Sequence, residues 1–280
     1  MNESRQLLKR EAKERFKAQY GPCVWVQVVM FAITLVISWL PGQLADPEVM
    51  TRAILTNTGI NTGQYFAYMV VTLLTGALLG AISIEVGYFY LRVFRGEKMT
   101  VRDFFAGLIV DVGKKAGAYL WMMLFLVLWG MAPVIPMVII LLSSPFGSQG
   151  IILLLLLALV VLMIIKGLSY GLMTYFIRDC PGVSVGKALR LSITLMKGNK
   201  GQLFVLGLSF LGWMLLMSAV LILPNILGIR GVIPSIAYGV LNALYVGPYI
   251  AITLAGFYHN LKQKGLKINV ISKADLRGPE

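Results

Sequence analysis

One histidine, two cysteines and 12 acidic residues in 280 positions leave this chain little material for catalysis. Acid–base, nucleophilic and metal-assisted reactions draw on positioned His, Cys, Asp and Glu side chains. His259 stands beside Tyr258 and Asn260 where an apolar run ends, a boundary position more than a catalytic one. No HExxH, GxSxG, P-loop or carboxylate-rich metal motif occurs. The reading therefore expects no catalytic residue, no metal site and no cofactor, and it disfavours an ATPase, a zinc protease or a serine hydrolase. Cys23 and Cys180 lack ligand neighbours at useful spacing, and both fall where thiols stay reduced, so no disulfide is expected. Charge is scarce as well. Only 13% of residues are charged against 58% hydrophobic, far from the composition of a soluble domain.

What the chain has in quantity is long apolar runs, near 23–40, 64–91, 116–142, 151–177, 203–223 and 233–257. The runs are long enough to cross a hydrocarbon core, which needs roughly 20 helical residues, and 64–91 and 151–177 exceed that length. Of the 25 basic residues, 22 fall in the N-terminal arm, the segments after the second and fourth runs, and the C-terminal tail. The other three connections hold only Arg52 and Arg230, and Lys166 lies inside a run. Cytoplasmic loops retain Lys and Arg, so the pattern predicts six spans with both termini cytosolic. The net charge of +13 follows from that placement and does not indicate nucleic-acid binding.

Three cytosolic segments carry amphipathic helical patterns. Residues 4–20 place Leu8, Ala12, Phe16 and Tyr20 on one stripe, and residues 184–196 do so with Val185, Ala188, Leu189, Ser192 and Met196. Residues 101–115 align Phe104, Phe105, Leu108, Ile109 and Val112 behind a capping-box pair, Thr100 and Asp103. With Phe16, Phe105 and Leu189 turned toward lipid or the bundle, these helices are expected to lie along the membrane surface. The layout of interfacial helix, span, outer loop and span recurs near residues 4, 100 and 184, as in a threefold repeat. The fold class is all-α: a polytopic membrane protein of six transmembrane helices plus three interfacial ones. Its parts are a cytosolic helix over 1–22, a transmembrane domain over 23–262 and a basic cytosolic tail over 263–280. In the first outer loop a short surface helix is expected around 47–56, and Pro133 and Pro136 are expected to kink the third span.

Two ionisable residues lie inside the runs. Glu85 sits about two turns from the cytoplasmic end of the second span and Lys166 about three turns from that of the fourth. Buried charge is costly, so each should face the bundle interior, water or an opposite charge. Gly76 and Gly80, and Gly167 and Gly171, supply small-residue seams that could bring these spans together. The reading therefore pairs Glu85 with Lys166. Lys197, Gly198, Asn199 and Lys200 form a second feature. Gly198 can take the positive φ that ends a helix, leaving Lys197, Asn199 and Lys200 as candidate contacts for anionic lipid headgroups. Tyr88, Tyr90, Tyr170, Tyr175, Tyr249 and Tyr258 lie toward cytoplasmic ends, as an interfacial aromatic belt would.

Several of these loops also resemble an uncharacterised bacterial membrane family, domain of unknown function no. 975. The likeness rests on Arg95-Gly96-Glu97, Asp103-Phe104-Phe105, the run Leu195 to Lys200, Leu208 to Trp213, Pro248-Tyr249 and Phe257-Tyr258. It implies an integral protein of the bacterial cytoplasmic membrane with no established activity. The expected role is non-enzymatic, through anionic phospholipid or a membrane-protein partner in the bilayer. The alternative is a small-solute or ion transporter using Glu85 and Lys166.

Overall fold

The computed structural model describes residues 2–44, 62–143, 149–228, 233–272 and 274–276. Among these every regular element is helical. In chain order they are α1 (Asn2–Ala18), α2 (Tyr20–Leu44), α3 (Thr62–Phe94), α4 (Val101–Ile109), α5 (Val112–Ser143) and α6 (Gln149–Tyr170). There follow α7 (Met173–Asp179), α8 (Val185–Met196), α9 (Lys200–Leu208), α10 (Leu211–Ile226), α11 (Ile233–Leu241), a π-helical turn (Asn242–Val246), α12 (Gly247–Lys267) and a 3₁₀ turn (Ala274–Leu276). The surface helix expected around 47–56 lies outside the described residues.

Among the described residues, five helices are long and apolar enough to cross a membrane: Tyr20–Gln43, Gly63–Phe94, Val112–Ser143, Gln149–Asp179 and Ile233–Lys267. The fifth expected span is divided into α9 and α10, and the count reaches six when those two are taken together. The third runs unbroken through Pro133 and Pro136. In the last, Pro248 has no N–H for the carbonyl of Leu244, and the chain makes a π turn just before it. There Gly247 N–H reaches back five residues to Asn242 O.

The chain divides into two compact units, Met1–Ala116 with Phe210–Gly256, and Gly117–Ser209 with Phe257–Glu280. In the first, α2 packs along α3, and α1 and α4 dock against α3. Leu8, Ala12 and Phe16 are buried on the inner face of α1, while its charged residues occupy the other side. Burial of a side chain such as Phe16 contributes roughly 1.5–3 kcal/mol, which a short charged helix needs in order to stay docked. Gln19 secures the junction. Its amide donates to Glu97 O at 2.7 Å and accepts from Met99 N–H at 2.8 Å, tying the loop after α3 to the break between α1 and α2. Tyr90 is fully buried and donates to Cys23 O at 2.9 Å, so it belongs to the core and not to an interfacial belt. Gly256 leaves the space taken by the Phe94 ring and Leu8, which a Cβ would overlap.

In the second unit α6 and α7 pack on α8, whose Ala188, Leu189, Leu195 and Met196 are buried. Ser192 donates to Ser169 O at 2.7 Å across that contact. Tyr170 and Tyr258 are buried here too; Tyr258 stacks on Tyr175 at 4.9 Å and meets Phe176 edge-on at 5.2 Å. The tail is more than a solvated extension. α12 continues to Lys267, and Ile271 then folds back and is buried.

Helices form over the three segments with amphipathic patterns, although that over 101–115 stops at Ile109 and only Phe104 of its two phenylalanines is buried. Phe105 and Ile109, four residues apart, share an exposed face of α4, turned away from the side of Phe104 and Gly107 that is buried. At Gly76 and Gly167 nothing lies within 4 Å of where a Cβ would stand, so these two glycines make no close backbone contact.

At the start of α4 the capping box is complete, Asp103 N–H donating to Thr100 Oγ1 and Thr100 N–H to Asp103 Oδ2 at 2.8 Å. The hydrogen bonds from the Thr100 hydroxyl and backbone hold the Asp103 carboxyl below its usual range. A carboxyl lowered in the folded state adds stability above its unfolded value, near pH 3.9, and loses it as pH falls through the lowered one. Amide protection across Phe104–Leu108, measured by hydrogen exchange, should hold steady above about pH 4 and decline below it. In Asp103→Asn that decline should vanish; its persistence would remove the box as the cause.

Candidate functional site

Glu85 lies on α3, nine residues from its end, and is 3% exposed. Lys115, one turn into α5, is 1% exposed, and its ammonium lies 3.1 Å from Glu85 Oε2. The same ammonium donates to Gly107 O at 2.8 Å and to Leu108 O at 3.2 Å. All three of its protons thus have acceptors, two of them carbonyls in the last turn of α4. A cation at a helix C-terminus complements the helix dipole and satisfies carbonyls that the helix leaves open. Two features of the sequence permit this. Asp111 takes a positive φ of 50°, which Asp tolerates better than most residues, and turns the chain sharply from α4 into α5. Gly107 has no side chain, and a Cβ there would collide with the Glu85 carboxylate.

This corrects the pairing expected between Glu85 and Lys166, since each has a partner within its own unit. Lys166 is half-buried on α6, its ammonium 3.3 Å from the centre of the Trp129 ring on α5. Such a contact is worth about 0.5–2 kcal/mol and does not neutralise the charge. Lys200 is near enough to repel it electrostatically. Neither lysine meets a carboxylate among the described residues.

The turn containing Lys197, Asn199 and Lys200 links α8 to α9. Gly198 has φ +74°, as its position after a helix requires. Asn199 donates its side-chain amide to Leu195 O at 2.9 Å and Lys197 O at 3.2 Å. Its donors are therefore engaged by the turn, and its expected contact with a headgroup gives way to a structural role. Lys197 is exposed, and Lys200 opens α9.

A second ion pair was not foreseen. Lys262 donates to Asp179 Oδ2 at 2.6 Å and to the Cys180 sulfur at 3.2 Å, and Tyr258 O–H donates to the same Asp179 oxygen at 2.9 Å. A signal existed: Tyr258 and Lys262 are four residues apart, on one face of α12, and Asp179 follows a span in a chain poor in acids. For Lys115 the signal was masked, because Lys114 and Lys115 read as part of the topological charge.

Removing one member of a buried pair leaves the other without compensation, at a cost of roughly 3–5 kcal/mol. Glu85→Gln and Lys115→Met should each lower thermal stability in detergent strongly, and the double variant should lose less than the two single losses combined. Gly107→Ala should reproduce the Glu85 defect by displacing the carboxylate. Additive losses from Glu85→Gln and Lys115→Met would contradict their coupling.

Arg95-Gly96-Glu97 contains the positive-φ glycine at +85° and the carboxylate that Arg92 meets at 2.6 Å. Asp103 closes the capping box, and Phe210 is buried against Tyr249. No curated protein and no solved structure matches the chain. A family model described as "Protein of unknown function (DUF975)" matches residues 1–265, and the chain belongs to that family.

Proposed function

We propose that this is a non-enzymatic, multi-pass protein of the bacterial cytoplasmic membrane that binds anionic phospholipid at the end of α6. The observation that carries the reading is the pair Lys166 and Lys200. Both are cations without an acidic partner among the described residues, one of them over the Trp129 ring. Lys200 also stands at the first residue of a helix, where a positive charge opposes the dipole by about 0.3–1 kcal/mol. Nothing in helix stability favours it there. An anionic headgroup would compensate both ammonium groups, with exposed Lys197 as a third contact. The face of the Trp129 ring holds the Lys166 ammonium in place.

The surroundings support a lipid or a membrane-protein partner. Within the most apolar window of Gln149–Asp179 no residue is buried, and within that of Val112–Ser143 only 6% are. Surface of that character needs lipid or another apolar chain over it. Solute transport through Glu85 and Lys166 draws less support. Glu85 is buried against Lys115 and Gly107, and all three protons of its partner are engaged. The charge distribution further supports cytosolic termini, with α1, α4 and α8 at the cytosolic surface.

Each ammonium–headgroup contact contributes about 1 kcal/mol, so losing two weakens binding about 30-fold. Titration of the purified protein with phosphatidylglycerol in neutral-detergent micelles should show this loss for Lys166→Gln combined with Lys200→Gln. Lys98→Gln should bind as the parent does. Equal affinity of the double variant would refute the site. For the orientation, single-cysteine probes in intact cells should be modified from outside at Gln43 and protected at Lys98, and the reverse pattern would invert it.

A further inference from the structure

The second unit contains a cavity of about 600 Å³ that the lipid reading does not use. One wall is a stripe of α8 and its cap, Ser184, Lys187, Arg190 and Thr194, and the other is formed by Val270, Ile271 and Asp275 of the tail. The stripe follows from helical spacing. Ala188, Leu189, Leu195 and Met196 take the buried side of α8, so positions 187, 190 and 194 share the opposite one.

The charges of this wall are not balanced. Lys187 has Asp275 at 4.0 Å, the outer limit of an ion pair, and Arg190 is exposed and has no acidic partner among the described residues. Asp275 is also bound elsewhere, accepting from Ser272 N–H at 2.9 Å and Ser272 O–H at 2.8 Å. Those bonds keep its carboxyl below the usual range, so it stays ionised at neutral pH. The lining therefore holds two cations, one carboxylate committed largely to its own turn, and the hydroxyls of Ser184 and Thr194. A monoanion would leave part of this charge uncompensated once Asp275 had been displaced from Lys187. A phosphate monoester, with −1.5 to −2 charge and three acceptor oxygens, matches two cations and can take the planar fork of Arg190 in bidentate fashion. The volume lies within the usual range for small-ligand sites, and Leu191, Val270 and Ile271 offer apolar contact to whatever bears the phosphate.

We propose that this cavity binds a phosphate-monoester group through Lys187 and Arg190, with Asp275 as the carboxylate that the ligand displaces from Lys187. The group can belong to a soluble phosphate or to a lipid headgroup. Both sources are tested with the full chain in neutral detergent at fixed ionic strength, by calorimetric titration with inorganic phosphate and with short-chain phosphatidic acid.

Binding of inorganic phosphate beyond a chloride control assigns a soluble source; binding of phosphatidic acid alone assigns a lipid source. In either case Arg190→Gln should weaken binding about tenfold, the value of a charge-assisted hydrogen bond. Asp275→Asn should strengthen binding about threefold, as expected when a partly exposed competing charge is removed. The titrations are made in the Lys166→Gln, Lys200→Gln background, which removes the site at the end of α6, and Lys98→Gln in that background should leave binding unchanged. Arg190 is exposed, and circular dichroism of its variant checks that the fold is kept. The proposal is overturned if neither probe exceeds chloride, if Arg190→Gln binds as the parent does, or if Asp275→Asn fails to bind more tightly.

Discussion

The ammonium of Lys115 is the point on which the first unit is assembled. It has three protons and gives them to three acceptors on two other helices, the Glu85 carboxylate on α3 and the carbonyls of Gly107 and Leu108 on α4. In a site with almost no access to water, any one of these groups left unmet would cost more than the bond itself contributes. The contact thus fixes where α4 ends, how closely it approaches α3 and where α5 begins. Only two residues separate α4 from α5, and the positive φ of Asp111 turns the chain within them. The capping box fixes the other end of α4, with Phe104 buried between the two restraints.

Much of this arrangement was legible in local sequence signals. The apolar runs gave the helices, Thr100 with Asp103 gave the start of α4, and Gly198 marked the end of α8. Contacts between distant residues were less accessible. Glu85 required a partner, and hydropathy pointed to Lys166 because that is the only basic residue inside a run. Lys115 comes from a cluster whose charge is explained equally well by topology, and only the turn at Asp111 carries it inward. The tyrosines divide for a related reason. Position along a helix gives depth in the membrane but not the direction of the side chain, so Tyr90 and Tyr258 proved to be core residues. Asn199 resembled a ligand and is engaged by the carbonyls of its own turn.

The basic residues consequently fall into groups with different physical roles. Lys115 and Lys262 are committed to Glu85 and Asp179, and in each case the ammonium also serves a second kind of acceptor. Arg92 and Arg10 make the ordinary ion pairs of exposed surfaces, with Glu97 and Glu14. With 25 basic residues against 12 acidic ones, internal pairing cannot neutralise the chain.

What distinguishes Lys166, Lys200 and Arg190 from that excess is where they are held. A topological lysine works anywhere in a solvated loop, where water compensates its charge. Lys166 is instead half-buried against an aromatic ring, Lys200 occupies the unfavourable end of a helix, and Arg190 lines a cavity whose one carboxylate is bound to its own turn. Lys166 and Lys200 stand where their charge is disfavoured, and Arg190 lines a cavity that offers it no carboxylate; an anion would answer each. Two separate anion sites on one unit are thus a more economical reading than a uniformly basic surface. They also divide by chemistry: the end of α6 joins charge to an aromatic ring and apolar spans, whereas the α8 cavity joins charge to hydroxyl donors.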